Sequence, residues 1–194
     1  MERIKLFLGF LNMFAGKILN EIDRFVFTYD TKKTASLYLN IGNDYTEKNQ
    51  FSDAIIMYKK AIELKSNDSE PYFNLGRIYM KSNELDEAIK SFEKVLELDL
   101  KAMKHSNTED TKNEQLIRVA ESCYYLGFAY AKLGKKDEAI NYYKKAVDLN
   151  PKNAEYNFRL GLAYDSKKMI DLAISSYEKA IINEFEIRTA EQKI

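Results

Sequence analysis

The chain has 194 residues, with 30 Lys or Arg against 30 Asp or Glu, so its formal charge at pH 7 is zero. A balanced charge argues against a general nucleic-acid binder, whose affinity rests on clustered positive excess. Two prolines and seven glycines leave no low-complexity linker, and a single cysteine excludes an intramolecular disulfide without choosing a compartment.

The first predicted element is an amphipathic helix over residues 3–27. Ile4, Phe7, Leu8, Leu11, Phe14, Ile18, Leu19, Ile22, Phe25 and Val26 share one face; Lys5, Gly9, Asn12, Gly16, Asn20 and Asp23 share the other. Asn12, Lys17, Asn20, Glu21, Asp23 and Arg24 interrupt any apolar run long enough to span a bilayer. Arg3 and Lys5 precede the apolar stretch 6–14 as in an export signal, but no small-residue cleavage site follows, since Met13 stands at −3 to Ala15. Three readings stay open: a helix packed on the first repeat of the chain, a membrane-surface or docking helix, and an export signal. Arg3, Lys5, Lys17 and Arg24 against Glu2, Glu21 and Asp23 leave little net charge for anionic lipid, where each basic residue adds roughly 1 kcal/mol.

From residue 35 one pattern recurs. It reads Tyr38-x-x-Ile41-Gly42-x-x-Tyr45, Tyr72-x-x-Leu75-Gly76-x-x-Tyr79, Cys123-x-x-Leu126-Gly127-x-x-Tyr130 and Asn157-x-x-Leu160-Gly161-x-x-Tyr164. Twelve residues after each glycine stands an alanine (Ala54, Ala88, Ala139, Ala173), and four further on an aromatic (Tyr58, Phe92, Tyr143, Tyr177). The glycines step by 34, 51 and 34, so one period carries a 17-residue insertion. A period of this length means stacked helical hairpins. The predicted pairs are 35–48 with 51–64, 69–81 with 85–99, 112–133 with 136–149, and 154–167 with 170–186. Asn49-Gln50, Ser82-Asn83, Gly134-Lys135 and Ser166-Lys167-Lys168 mark the turns inside the pairs. The glycine and alanine are expected where two helices cross, and the aromatics in the wedges between hairpins.

The insertion falls within 103–119. Lys104 to Asp110 is polar and aperiodic, and Thr111-x-x-Glu114 has capping-box spacing, so the following helix is expected to start near Thr111 and to be overlong. It is either a tolerated surface feature or a protruding partner site.

These residues resemble the tetratricopeptide repeat family over about 35–187. The resemblance implies an all-α, right-handed solenoid of four helical hairpins, with the N-terminal amphipathic helix as an addition. The divisions are then 1–34 for that helix and its linker, 35–102 for repeats one and two, 103–119 for the insertion, 120–187 for repeats three and four, and 188–194 for a tail. No repeat has the family's tryptophan anchor, and only the third has its closing proline, Pro151.

Little in the chain suggests catalysis. His105, the one histidine, lies in the polar insertion. With one histidine and one cysteine the usual zinc arrangements fail. Cys123 holds an anchor place and reads as a buried structural thiol. Gly16-Lys17 and Gly134-Lys135 lack the spacing of a phosphate loop. We therefore expect no catalytic residue, no metal and no cofactor, and read the chain as a non-enzyme.

The resemblance implies that the first helix of each hairpin lines a concave groove. Its fifth places hold Leu39, Phe73, Tyr124 and Phe158; its sixth, Asn40, Asn74, Tyr125 and Arg159; its ninth, Asn43, Arg77, Phe128 and Leu162. Asparagine can both donate to and accept from a peptide backbone, and aromatics supply apolar anchors. The chaperone-binding clamp of some relatives needs a lysine at the place of Leu39 and basic residues at those of Glu121 and Tyr125, so an acidic C-terminal tail is not the expected ligand. The apolar row is read either as an open groove or as packing between repeats. The expected function is a protein-interaction scaffold or adaptor holding a peptide or helix. The alternatives are a membrane-associated structural component using residues 1–27, and a secretion-type chaperone. The compartment stays open between cytoplasm, membrane surface and export. Ile181, Phe185 and Ile187 close the chain without a polar capping helix, which raises self-association through the C-terminal repeat.

Overall fold

A computed structural model describes residues 30–105 and 108–191. The expected amphipathic helix over 3–27 lies outside the described residues. Two compact units divide the chain at Ser66 and Asn67. The first contains α1 (30–47) and α2 (Phe51–Leu64). The second contains α3 (Glu70–Lys81), α4 (Leu85–Met103), α5 (Glu109–Lys132), α6 (Lys136–Leu149), α7 (Ala154–Ser166) and α8 (Ile170–Glu191). All described elements are helices, as the repeat pattern predicts.

Each hairpin turns in the same way. The backbone N–H groups of Gln50, Glu84, Lys135 and Met169 donate to the carbonyls of Tyr45, Tyr79, Tyr130 and Tyr164 at 2.8, 2.8, 2.9 and 3.0 Å. The N–H one residue earlier bonds to Thr46, Met80, Ala131 and Asp165. This paired pattern ends a helix through one left-handed residue. That residue is Asn49, Asn83, Gly134 or Lys168, with φ between 58° and 74°. The repeat's last tyrosine thus marks the turn, and as Tyr79 and Tyr164 it is buried as well.

The repeat glycines make room for rings. A Cβ at Gly42, Gly76, Gly127 or Gly161 would lie 2.6–2.7 Å from the ring of Tyr58, Phe92, Tyr143 or Tyr177. Each ring therefore lies on the glycine of its own hairpin. The aromatics, expected in the wedges between hairpins, thus pack within their own hairpin, and Phe92 in addition stacks on Tyr125 of the next at 5.0 Å. The alanines Ala54, Ala88, Ala139 and Ala173 are all buried. Burying each such ring contributes about 1.5–3 kcal/mol.

The insertion is shared between two helices. α4 runs to Met103, four residues past the predicted end, and α5 begins at Glu109, three residues before the predicted start. Thr108, in extended conformation, is the N-cap residue, and the Thr111 hydroxyl donates back to the Thr108 carbonyl at 3.1 Å. The Thr111 capping box is therefore not the helix start. A buried carboxylate fastens this region. Asp99 accepts from Arg118 Nε at 2.7 Å, from Arg118 Nη2 at 3.1 Å and from the Ser69 hydroxyl at 2.5 Å. One acid so joins α4, α5 and the residue preceding α3.

Two core groups give tests. The Ser122 hydroxyl in α5 is fully buried and finds no partner among the described residues. An unpaired buried hydroxyl costs about 1–3 kcal/mol. Ser122→Ala should therefore raise the urea midpoint, and a lowered midpoint would show that the hydroxyl is bonded. Cys123 is buried, and desolvation pushes its thiol up to about 11. Burial likewise raises the phenols of Tyr143 and Tyr156. The unfolded chain loses these protons first, so stability is full below about pH 8.5, the ordinary thiol value, and falls as pH rises toward 11. Cys123→Ala should flatten the first part of that decline in melts taken from pH 8 to 11.

Candidate interaction surface

In the second unit the first helices of the hairpins, α3, α5 and α7, carry most of the candidate site residues. Phe73 on α3 is buried, packed edge-on to Phe92 at 5.8 Å and to Tyr125 at 6.2 Å. Asn74 is partly buried beside it, and Arg77 is exposed with its guanidinium 5.9 Å from the Phe73 ring centroid. Tyr124 and Tyr125 are half-buried and meet edge-on at 5.2 Å; Tyr124 also stacks on Tyr156 at 5.2 Å. Phe73, Tyr125 and Tyr124 thus spend much of their area joining hairpins.

The surface opens further along α5 and α7. Phe128 is half-buried, with Arg159 at 5.3 Å and Lys132 at 5.4 Å from its ring centroid. Both are within cation–π range. Leu162 and Phe158 on α7 are 40% and 43% exposed. A cavity of about 310 Å³ lies here, lined by Phe128, Lys132, Tyr143, Arg159 and Leu162 among others. Glu155 orders the edge of this strip, accepting from Arg159 Nε at 2.6 Å and from the Tyr124 hydroxyl at 3.2 Å. Burial, reinforced by the Glu155 carboxylate, holds the Tyr124 phenol above its ordinary value, so at neutral pH it is a donor. The strip combines apolar area with two cations.

In the first unit Leu39 is buried and Asn40 exposed. Asn43 is partly buried, and its Oδ1 accepts from the Tyr58 hydroxyl at 2.8 Å; that hydroxyl also lies 2.9 Å from Thr46 Oγ1. The Asn43 carbonyl therefore serves the hairpin.

Other functional candidates escape the repeat places. A cleft of about 320 Å³ sets Phe73 and Asn74 against Glu114, Ile117, Arg118 and Glu121 of α5. The overlong part of α5 is thus a wall of a cleft, with Ile117 60% exposed. The insertion was the available signal, but its helical face could not be assigned before the true start of α5 was known. Lys132 lies outside the family's inward places and was legible only as one surface lysine among many. Among the described residues no three His, Cys, Asp or Glu side chains converge as a metal site, and no helix is long and apolar enough to cross a membrane.

Four tetratricopeptide repeat models match the chain, over residues 42–82, 69–100, 120–153 and 154–181. No curated protein matches it. The crystal structure of MamA is similar at 26% identity and a TM-score of 0.68, over 86% of each chain. The N-terminal domain of stress-induced protein-1 (STI-1) from C. elegans is similar at 18% identity and a TM-score of 0.54, over 73% of this chain and 97% of that one. BtubC (BKLC) from P. vanneervenii matches at 16% identity and a TM-score of 0.66, over 79% of this chain and 64% of its own. These last two likenesses concern the fold alone.

Proposed function

We propose that this chain, which belongs to the tetratricopeptide repeat family, is a non-catalytic scaffold that holds a partner peptide or helix on the faces of its first helices. The fold itself is a protein-interaction scaffold. The observation that carries the finer reading is the strip of Phe128, Arg159 and Leu162 around its cavity, with exposed Phe158 four residues before Leu162 on α7. Apolar side chains here keep free area, whereas Leu39 and Phe73 are buried. Such area supplies anchors, and the two cations beside Phe128 supply orientation. Asn74 and Arg77 extend the contact toward the cleft walled by α5.

The test begins with a photo-crosslinking residue at Leu162 and, as a control, at exposed Lys144 on α6. A partner caught from Leu162 and not from Lys144 is then titrated against alanine variants. Phe158→Ala and Leu162→Ala should each weaken it by about 1–2 kcal/mol. Arg159→Ala should weaken it in a salt-dependent way only for an acidic partner. Unchanged affinity in all three folded variants would move the binding surface elsewhere.

A second reading, association through the C-terminal repeat, is favoured by one observation. Ile181 and Phe185 of α8 are 69% and 67% exposed, beside a groove of about 730 Å³ between α7 and α8. Contiguous apolar surface of this kind favours association.

A further inference from the structure

The groove between α7 and α8 is a repeat-equivalent of a joint that is filled elsewhere in the same unit. Its wall residues Ala154, Phe158, Tyr177, Ala180 and Ile181 stand 34 positions after Ala120, Tyr124, Tyr143, Ala146 and Val147. In that earlier set, Ala120 and Ala146 pack against Tyr156 of α7, with Tyr124 and Val147 beside them. Tyr156 also stacks on Tyr124 at an interplanar angle of 26°. The surface made by α5 and α6 therefore receives the first helix of the following hairpin. The surface made by α7 and α8 has the same construction, and no described residue covers it.

We propose that this groove receives α1 of a second copy, so that copies join head to tail. The inference rests on the reading that the C-terminal repeat associates, and adds which surface it meets. Two features of α1 fit. Leu37 holds in the first repeat the place that Tyr156 holds in the fourth, and it is 56% exposed. In the docked register it lies on Ala154, Ala180 and Phe158. The same register makes Glu184 the counterpart of Asn150 at the end of α6, and sets the first turn of α1, which carries Lys32 and Lys33, alongside the last turns of α8. Both lysines are exposed, and Glu184 is exposed with, among the described residues, only an i,i+4 partner, Arg188, at 3.1 Å. Apolar area and opposite charge thus coincide in one register. The two joined surfaces differ, so the contact is heterologous and does not close on itself by necessity.

Sedimentation velocity of the full chain over a concentration series tests this, with circular dichroism confirming each variant's fold. Wild type should grow in size with concentration. Leu37→Asp removes the head, and Ile181→Asp removes the tail; each alone should remain monomeric. Their equimolar mixture should form a 1:1 dimer and nothing larger, because one head and one tail survive. A charge exchange gives an independent measure: Lys32→Glu with Lys33→Glu should weaken association at least tenfold, and Glu184→Lys should restore much of it. If Ile181→Asp abolishes association while Leu37→Asp spares it, the C-terminal repeat associates but the head-to-tail join is wrong. That result would point to residues 1–27 or a second tail as occupant. If wild type stays monomeric at high concentration, or neither substitution changes its size, both readings fall.

Discussion

Arg118→Met should destabilise the fold by about 3–5 kcal/mol, the usual cost of leaving a buried charge without its partner. The Asp99 side chain is 3% exposed and that of Arg118 is 24% exposed, so water replaces the guanidinium poorly. After the substitution the carboxylate keeps only the Ser69 hydroxyl among the three bonds described. Asp99→Asn in the same chain removes the charge that was stranded. The double variant should therefore recover much of the loss, and the coupling between the two sites should exceed 1 kcal/mol or so. Urea unfolding of the four proteins gives the cycle. A single-variant loss under about 1 kcal/mol would mean that the pair is solvated and that α4, α5 and the start of α3 are not fastened there.

Gly127→Leu should be the most damaging change among the repeat positions of the third hairpin. A bare Cβ at Gly127 already falls 2.7 Å from Tyr143 Cδ1 and 2.9 Å from Cγ. The Tyr143 ring is 2% exposed and cannot swing into solvent. Gly127→Ala separates two opposing effects. Alanine gains about 1 kcal/mol of helix propensity over glycine, while overpacking costs about 1–3 kcal/mol. The expected net is a loss for alanine and a larger one for leucine. Thermal melts of both variants decide it, and a stabilised alanine variant would show that the two helices part at little cost.

The chain's periodicity makes the hairpins legible because a crossing needs small residues at fixed places. Gly42, Gly76, Gly127 and Gly161, with an alanine twelve residues on, locate every helix pair, and α2 and α6 end where the pattern predicts. Solvated ends are harder. α4 continues through Lys101 and Met103, α5 starts at Glu109, and α8 continues to Glu191. Packing marks where a helix must exist, not how far it continues into water. The Asp99–Arg118 pair was hidden because the chain carries 60 charged residues and no spacing rule spans two helices of unknown length. Among the candidate site residues the repeat place gives the helix but not the share of area left free. Phe73 and Phe158 hold the same place, yet one is buried and the other exposed, because Phe73 packs on Tyr125 of the following hairpin while no described hairpin follows that of Phe158.

The placement of the extra residues has a geometric consequence. At 1.5 Å per residue, the 24 residues of α5 span about 36 Å and the 13 of α7 about 20 Å. Stacking distance is set by side chains that point across the axes, so added turns along an axis leave the spacing of neighbours untouched. The third hairpin can therefore carry a spur roughly three turns long while the fourth keeps the ordinary 34-residue form. Such a scaffold has two separate dimensions of growth: copying a hairpin lengthens the row, and prolonging the helices on either side of one turn, as α4 and α5 are here, raises a post at a single address along it.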